Sequence, residues 1–87
     1  MFKHKLPNGR RNICGEKVSV LRKNLSPKVS QRKLADIMQL KGLDMDKTAI
    51  RRIENGERYV TDIELQKLCE IFNITADDFI NYTVNSK

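Results

Sequence analysis

Four polar side chains near the middle of this 87-residue chain fall on one side of a short helical pattern: Lys47, Thr48, Arg51 and Arg52. Residues three and four apart are neighbours on a helix surface, so the four would form one basic patch. Lysine and arginine bind phosphate oxygens, and arginine also forms paired hydrogen bonds with the edge of guanine. A solvated charged surface is the more common meaning of such a pattern, so the elements around it must decide between the two interpretations.

The segment that carries these four residues has the end signals of a helix. Asp46 is a good N-cap at its start, and Asn55-Gly56 is typical of a helix C-terminus. The sequence therefore predicts a helix over about 47–54. Its inward face would be formed by Ala49, Ile50 and Ile53.

A second helical pattern precedes it and opens at Ser30, another good N-cap. We expect a helix over about 31–40 whose apolar face is formed by Leu34, Ile37 and Met38. Gln31 would stand at its N-terminus, where a side-chain amide and outward backbone N–H groups favour an anion. The connection to the next helix contains Gly42, which can take the left-handed conformation that a turn needs.

The N-terminal part of the chain divides into an arm and a helix. Residues 1–11 are basic and show no apolar periodicity, which predicts a flexible arm. Asn12 can cap a first helix that extends to about residue 24, although Gly15 weakens its first turn.

Two capping patterns mark the last helices. Thr61 and Glu64 have the spacing of a capping box, and the helix after them buries one stripe, Leu65, Leu68, Cys69 and Phe72. Thr75 and Asp78 repeat the pattern for a fifth helix. The sequence thus predicts an all-α fold, a compact five-helix domain over residues 12–82 followed by a tail over 83–87.

Charge is divided unevenly along the chain. Residues 1–58 hold 15 Lys+Arg and 6 Asp+Glu, whereas residues 59–87 hold 2 and 5. A basic front and an acidic back are typical of a nucleic-acid-binding domain, and no predicted helix has the bulky apolar face of a membrane anchor. Without a signal peptide or a spanning segment, we expect a cytoplasmic protein. Cys14, Cys69 and His4 have no metal-ligand spacing, so we expect no metal and no cofactor.

The ordered set of motifs resembles the phage-repressor family of helix-turn-helix proteins (Xre-like, Cro/repressor) over roughly residues 13–80. The resemblance rests on five segments: Gly15-x-x-Val18-x-x-Leu21-Arg22, Ser30-Gln31-x-x-Leu34-Ala35, Ile50-x-x-Ile53-Glu54-Asn55-Gly56, Leu65-x-x-Leu68 and Phe72-x-Ile74-x-x-x-x-Phe79. The chain departs from the family pattern in two connections. The connection between the first and second helices is about two residues longer than usual. The turn before the third helix is about five residues longer, and Gln39 stands where a turn glycine is common.

This resemblance implies that helix 47–54 is the recognition helix of a sequence-specific transcriptional regulator, most simply a repressor that reads the major groove. Lys47, Thr48 and Arg52 would contact bases, while Arg51 would contact a base or a phosphate. Residues around the helix ends would contact phosphates: Gln31, Arg32, Lys28, Asn55 and Arg58. The resemblance also implies a structural ion pair between Arg22 and Glu54.

Two other functions remain open at this stage. The same scaffold serves as a protein-interaction module, for example as the antitoxin of a toxin–antitoxin pair, with a partner that the sequence does not identify. An enzyme is disfavoured, because the chain has one histidine and no recognisable catalytic carboxylate pair or phosphate loop. For the regulator we expect a homodimer on double-stranded DNA. Its candidate interface residues are Ile80, Tyr82 and Val84.

Overall fold

The computed structural model describes residues 9–81, and this part of the chain is helical with no β-strand. Its five α-helices follow the predicted order: α1 Gly15–Lys23, α2 Gln31–Leu40, α3 Lys47–Glu54, α4 Asp62–Phe72 and α5 Ala76–Asn81. The prediction of an all-α, five-helix fold is confirmed. Several predictions fall outside the described residues, namely those for arm residues 1–8 with His4, for Tyr82 and Val84, and for the tail over 83–87.

Side-chain caps start the three central helices at the predicted positions. Ser30 and Asp46 each accept a hydrogen bond from the backbone N–H three residues later, at 3.0 and 2.8 Å. Thr61 and Glu64 form both bonds of the capping box, at 3.1 and 3.0 Å. Each cap of this kind stabilises a helix start by about 1 kcal/mol. Short polar side chains therefore determine where α2, α3 and α4 begin.

Helix α1 begins later than the sequence predicts. It starts at Gly15, and the residue at its N-cap, Cys14, makes no side-chain capping bond. Asn12 still accepts a hydrogen bond from the N–H of Gly15, at 2.7 Å. The amide nitrogen of Asn12 donates to the carbonyls of Ile53 and Arg58, which hold this residue outside the helix.

Glycine lowers the intrinsic stability of a helix, but the fold requires Gly15 at the start of α1. A Cβ atom at this position would lie 2.1 Å from the carbonyl oxygen of Ile53, far inside van der Waals contact. The absent side chain therefore allows the start of α1 to pack directly against the end of α3.

The hydrophobic core lies between α2, α3 and the inner faces of the other helices. Eight large side chains are fully buried: Val18, Leu34, Met38, Met45, Ile50, Ile53, Leu68 and Phe79. Burial of each contributes about 1.5–3 kcal/mol, so together they hold α3 against the rest of the domain. Four side chains predicted for the core are only half-buried at its edge: Ile37, Ala49, Leu65 and Phe72.

Candidate nucleic-acid interface

The four residues of helix α3 that were predicted to contact DNA bases all lie on its solvent-exposed side. Lys47, Thr48, Arg51 and Arg52 are all exposed, while Ile50 and Ile53 on the opposite side are buried, as is Glu54 at the C-terminal end of the helix. At 3.6 residues per turn the four exposed side chains span an arc of about 140°. The structure thus brings the predicted base-contacting residues together on one continuous basic surface.

The long turn between α2 and α3 is held by specific contacts. Gly42 adopts the left-handed conformation (φ +94°), as expected. The side-chain amide of Gln39 donates to the carbonyl of Met45 at 2.6 Å, and the N–H of Leu43 donates to the carbonyl of Met38 at 3.1 Å. Because Met45 is itself 2% exposed, the extra residues are anchored in the core. Gln39 therefore stabilises the turn at the position where the resemblance leads us to expect glycine.

The outer face of α2 continues the basic surface. Arg32 is exposed on its first turn, and Lys28 is exposed in the connection before it. A shallow recess of about 200 Å³ lies where α2 meets the start of α3, and Arg32, Lys47 and Thr48 line it together with Asp36 and other polar residues. The surface between the two helices is concave and polar.

A buried ion pair joins α1 to the end of α3. The guanidinium of Arg22 donates two hydrogen bonds to the carboxylate of Glu54, from Nε at 2.7 Å and from Nη2 at 3.1 Å. Its third donor, Nη1, binds the carbonyl of Val29 at 2.9 Å. The two residues are 8% and 9% exposed, so neither charge is solvated and each depends on the other.

Gln31 takes part in the same network. Its Nε2 atom donates to Oε1 of Glu54 at 2.9 Å, which orients the side chain at the N-terminus of α2. One amide hydrogen is used in this bond and the other is not. In the first turn of α2 the N–H of Lys33 is bonded to Ser30, which leaves the backbone N–H groups of Gln31 and Arg32. The residue expected to contact phosphate is thus held in place by the carboxylate that closes α3.

Arg58, also expected to contact phosphate, instead forms an ion pair within the domain. Its guanidinium binds both carboxylate oxygens of Glu64 at 2.8 and 2.9 Å. Burial raises the pKa of Glu64, but hydrogen bonds from Arg58 and from Thr61 outweigh it and lower the pKa below its ordinary value. The resulting pair ties the α3–α4 connection to the capping box of α4, a link that the sequence analysis did not foresee.

Residues 10–12, which we call the strap, lie against the C-terminal end of α3. The N–H of Arg11 donates to the carbonyl of Gly56 at 2.9 Å, and Nη2 of Arg10 donates to the carbonyl of Glu54 at 2.8 Å. The sequence places Arg10 and Arg11 in a flexible arm; both are docked in the structure. The partners are more than 40 residues apart in the chain, and no local pattern signals such contacts.

Asn55 directly follows Glu54 at the end of α3. It is the C-cap of α3, its N–H donates to the carbonyl of Arg51 at 2.9 Å, and its side chain is exposed. Together with Gln31 and Lys23 it lines a polar recess of about 790 Å³ between α1, the start of α2 and the end of α3. Amide and ammonium donors therefore border this recess next to the basic face of α3.

The part of the chain that the structure describes contains no helix long and apolar enough to cross a membrane. Over residues 9–81 no group of three or more His, Cys, Asp or Glu residues is arranged to hold a metal ion.

The thiol of Cys14, at the N-cap of α1, is buried. Burial raises the pKa of the Cys14 thiol to about 11.

Comparison with known protein families gives a match to this chain. A protein-family model described as helix-turn-helix matches residues 21–79, which is more than half of the chain. The match covers α2 to α4 completely and includes every exposed residue of α3. No curated protein and no solved structure matched this chain.

Proposed function

This chain belongs to the Xre-like helix-turn-helix family of DNA-binding transcription regulators, and we propose that it is a repressor that reads a specific operator through α3. The observation that carries the proposal is the exposed basic arc of that helix, whose opposite face is locked into the core. A helix with one rigid side and one basic side is suited to the major groove, which is wide enough to admit it.

In this proposal the side chains of α3 divide into two groups. Lys47, Thr48 and Arg52 contact base edges, with Arg52 donating two bonds to a guanine. Arg51 contacts either a base or a phosphate on the same groove wall. Residues near the N-terminus of the recognition helix make most base contacts in this motif, which favours Lys47 and Thr48.

Phosphate contacts come from the ends of α2 and α3. Gln31 and Asn55 face the recess beside α3, and Arg32 and Lys28 are exposed on the adjacent surface. We assign Arg58 to the interior instead, because both sides of its guanidinium fork are bound to Glu64. Losing that pair to reach a phosphate would leave a buried carboxylate without its partner.

The regulator acts as a homodimer in this proposal. Ile13 and Ile80 are 51% and 39% exposed, and both line an apolar groove of about 420 Å³ with Val60 and Leu65. A second copy that covers this groove would bury side chains that are costly in water. Two recognition helices would then lie about 34 Å apart on an operator with two-fold symmetry.

The test is selection of duplex DNA from a random pool by the full chain, followed by sedimentation of the complex. We expect one enriched motif with two inverted half-sites and two protein chains per duplex. Affinity should fall by about 10³–10⁵ between 50 and 200 mM salt if six to ten phosphates are neutralised. Flat affinity across that range would contradict DNA binding, and a motif without repetition, bound by one chain, would contradict the dimer.

A further inference from the structure

The carbonyl groups at the end of α3 show how this helix is held. The last four carbonyls of any α-helix lack a partner within the helix. Here the backbone N–H of Asn55 and of Glu57 fold back onto the carbonyls of Arg51 and Arg52 at 2.9 and 2.8 Å. The carbonyl of Ile53 accepts hydrogen bonds from the N–H of Gly56 at 3.0 Å and from Asn12 of the strap, and the carbonyl of Glu54 accepts one from Arg10 of the strap.

Asn12 of the strap makes the buried part of this contact. Its Nδ2 atom donates to the carbonyl of Ile53 at 3.1 Å and to that of Arg58 at 2.7 Å, and its Oδ1 atom accepts from the N–H of Gly15. The residue is 8% exposed. One amide side chain therefore joins the end of α3, the start of α1 and the connection to α4.

Arg10 makes the outer part of the contact. Besides its bond to the carbonyl of Glu54, its guanidinium lies against Gly56, where a Cβ atom would come within 2.7–2.9 Å of the arginine side chain. A cation at a helix C-terminus is also favoured by the helix dipole. The side chain borders the same recess as Gln31 and Asn55.

From these contacts we propose that the strap is a positioning element for the recognition helix, with Arg10 and Asn12 determining operator specificity without touching a base. This inference rests on the proposed DNA-binding function. Base readout by paired hydrogen bonds tolerates little displacement of the reading helix. Phosphate attraction tolerates more, because it depends on charge rather than on alignment. Loosening the strap should therefore weaken operator binding more than binding to unrelated DNA.

Arg10→Ala and Arg11→Ala form a matched pair for the test. Both remove one positive charge from the same segment. Among residues 9–81 the Arg11 side chain bonds only the exposed carbonyl of Glu57. The anchoring Arg11 N–H is part of the backbone, so Arg11→Ala leaves the cap intact. Affinity is measured for the selected operator and for a scrambled duplex of equal length, with active protein determined by stoichiometric titration.

We expect Arg10→Ala to lower the ratio of operator to scrambled-duplex affinity by roughly three- to tenfold, the effect of losing one hydrogen bond of typical strength. Arg11→Ala should leave that ratio unchanged. Arg10→Lys keeps the charge and should recover scrambled-duplex binding while restoring the ratio only in part. If Arg10→Ala and Arg11→Ala lower both affinities by the same factor, Arg10 acts as a simple phosphate ligand and the proposal is wrong.

A measurement without DNA separates this proposal from the function on which it rests. The amide hydrogens of Asn55, Gly56 and Glu57 bond to carbonyls of α3, so their exchange rates report how firmly its end is closed. Arg10→Ala should speed their exchange relative to amides in α4, whereas Arg11→Ala should not. Unchanged exchange in Arg10→Ala and Arg10→Lys would overturn the strap as a cap, whether or not the wild-type chain binds DNA.

Discussion

Replacing Glu54 by glutamine should be one of the most damaging isosteric changes that this domain can undergo. The carboxylate accepts three hydrogen bonds, two from Arg22 and one from Gln31, at 2.7–3.1 Å. Glutamine keeps the shape but removes the charge, so the guanidinium of Arg22 stays buried without a counter-ion. Breaking a buried pair from one side costs about 3–5 kcal/mol, and the oxygen that glutamine retains favours the lower end of that range.

The loss is large relative to the stability of a domain of this size, about 5–15 kcal/mol. With a urea m-value of about 1–1.5 kcal/mol per M, a loss of about 3 kcal/mol lowers the unfolding midpoint by about 2–3 M. The assay is equilibrium unfolding in urea followed by circular dichroism at 222 nm. Comparison of m-values shows whether the variant still unfolds in one cooperative step.

Two further variants make the measurement decisive. Glu70→Gln is the matched control, because its carboxylate is 45% exposed and pairs with Lys41 at 3.3 Å, so the same chemical change should cost less than about 1 kcal/mol. Arg22→Met in the Glu54→Gln background removes the stranded charge and should recover part of the loss. A Glu54→Gln variant as stable as Glu70→Gln would refute the assignment of this pair as a buried structural link.

Three more predictions follow from other parts of the molecule. Arg52→Ala should weaken operator binding by about 1–3 kcal/mol and relax preference at one base position, as measured by a repeated selection; unaltered affinity and preference would contradict the placement of Arg52 on the reading face. Because the pKa of Glu64 is lower in the folded domain than its ordinary value of 4.5, its stabilising contribution is present above that pH and is lost as pH falls through the folded value. Glu64→Gln should therefore flatten the decline in unfolding free energy as the pH falls below about 4.5. The Cys14 thiol, with a pKa of about 11, should react with a thiol reagent at pH 8 only as fast as the domain opens, and labelling at the rate of a free thiol would contradict its burial.

Local signals in the sequence predicted the helices well where a short side chain caps the backbone. Ser30, Asp46 and Thr61 act within three residues of their own position, and α2 and α3 have the predicted bounds. The start of α1 was predicted too early because Asn12 looks like an N-cap from its neighbours alone. Its side-chain amide instead donates hydrogen bonds to the carbonyls of Ile53 and Arg58, which are 41 and 46 residues further along the chain.

Tertiary contacts that no capping or periodicity pattern signals account for what sequence reasoning missed at the candidate site. Arg58 was expected to contact phosphate because an arginine after the recognition helix is a reasonable ligand. Its partner Glu64 had already been assigned to a capping box, and the two roles coexist because each carboxylate has two oxygens and several lone pairs. Met45 lies in a turn without periodicity, so nothing in the pattern marked it as a core residue.

The close approach of Gly15 to the carbonyl of Ile53 also limits how this sequence can evolve. Any other residue at position 15 adds a carbon 2.1 Å from a backbone oxygen, and no rotamer of a neighbouring side chain can relieve that overlap. A lineage that loses this glycine must move α1 and α3 apart by about an ångström. The Arg22–Glu54 ion pair and the strap connect to the end of α3 across the same gap, so this movement would lengthen their hydrogen bonds. Position 15 should therefore be among the least tolerant in a saturation library scored for operator binding, even though it is buried and is not one of the proposed DNA contacts.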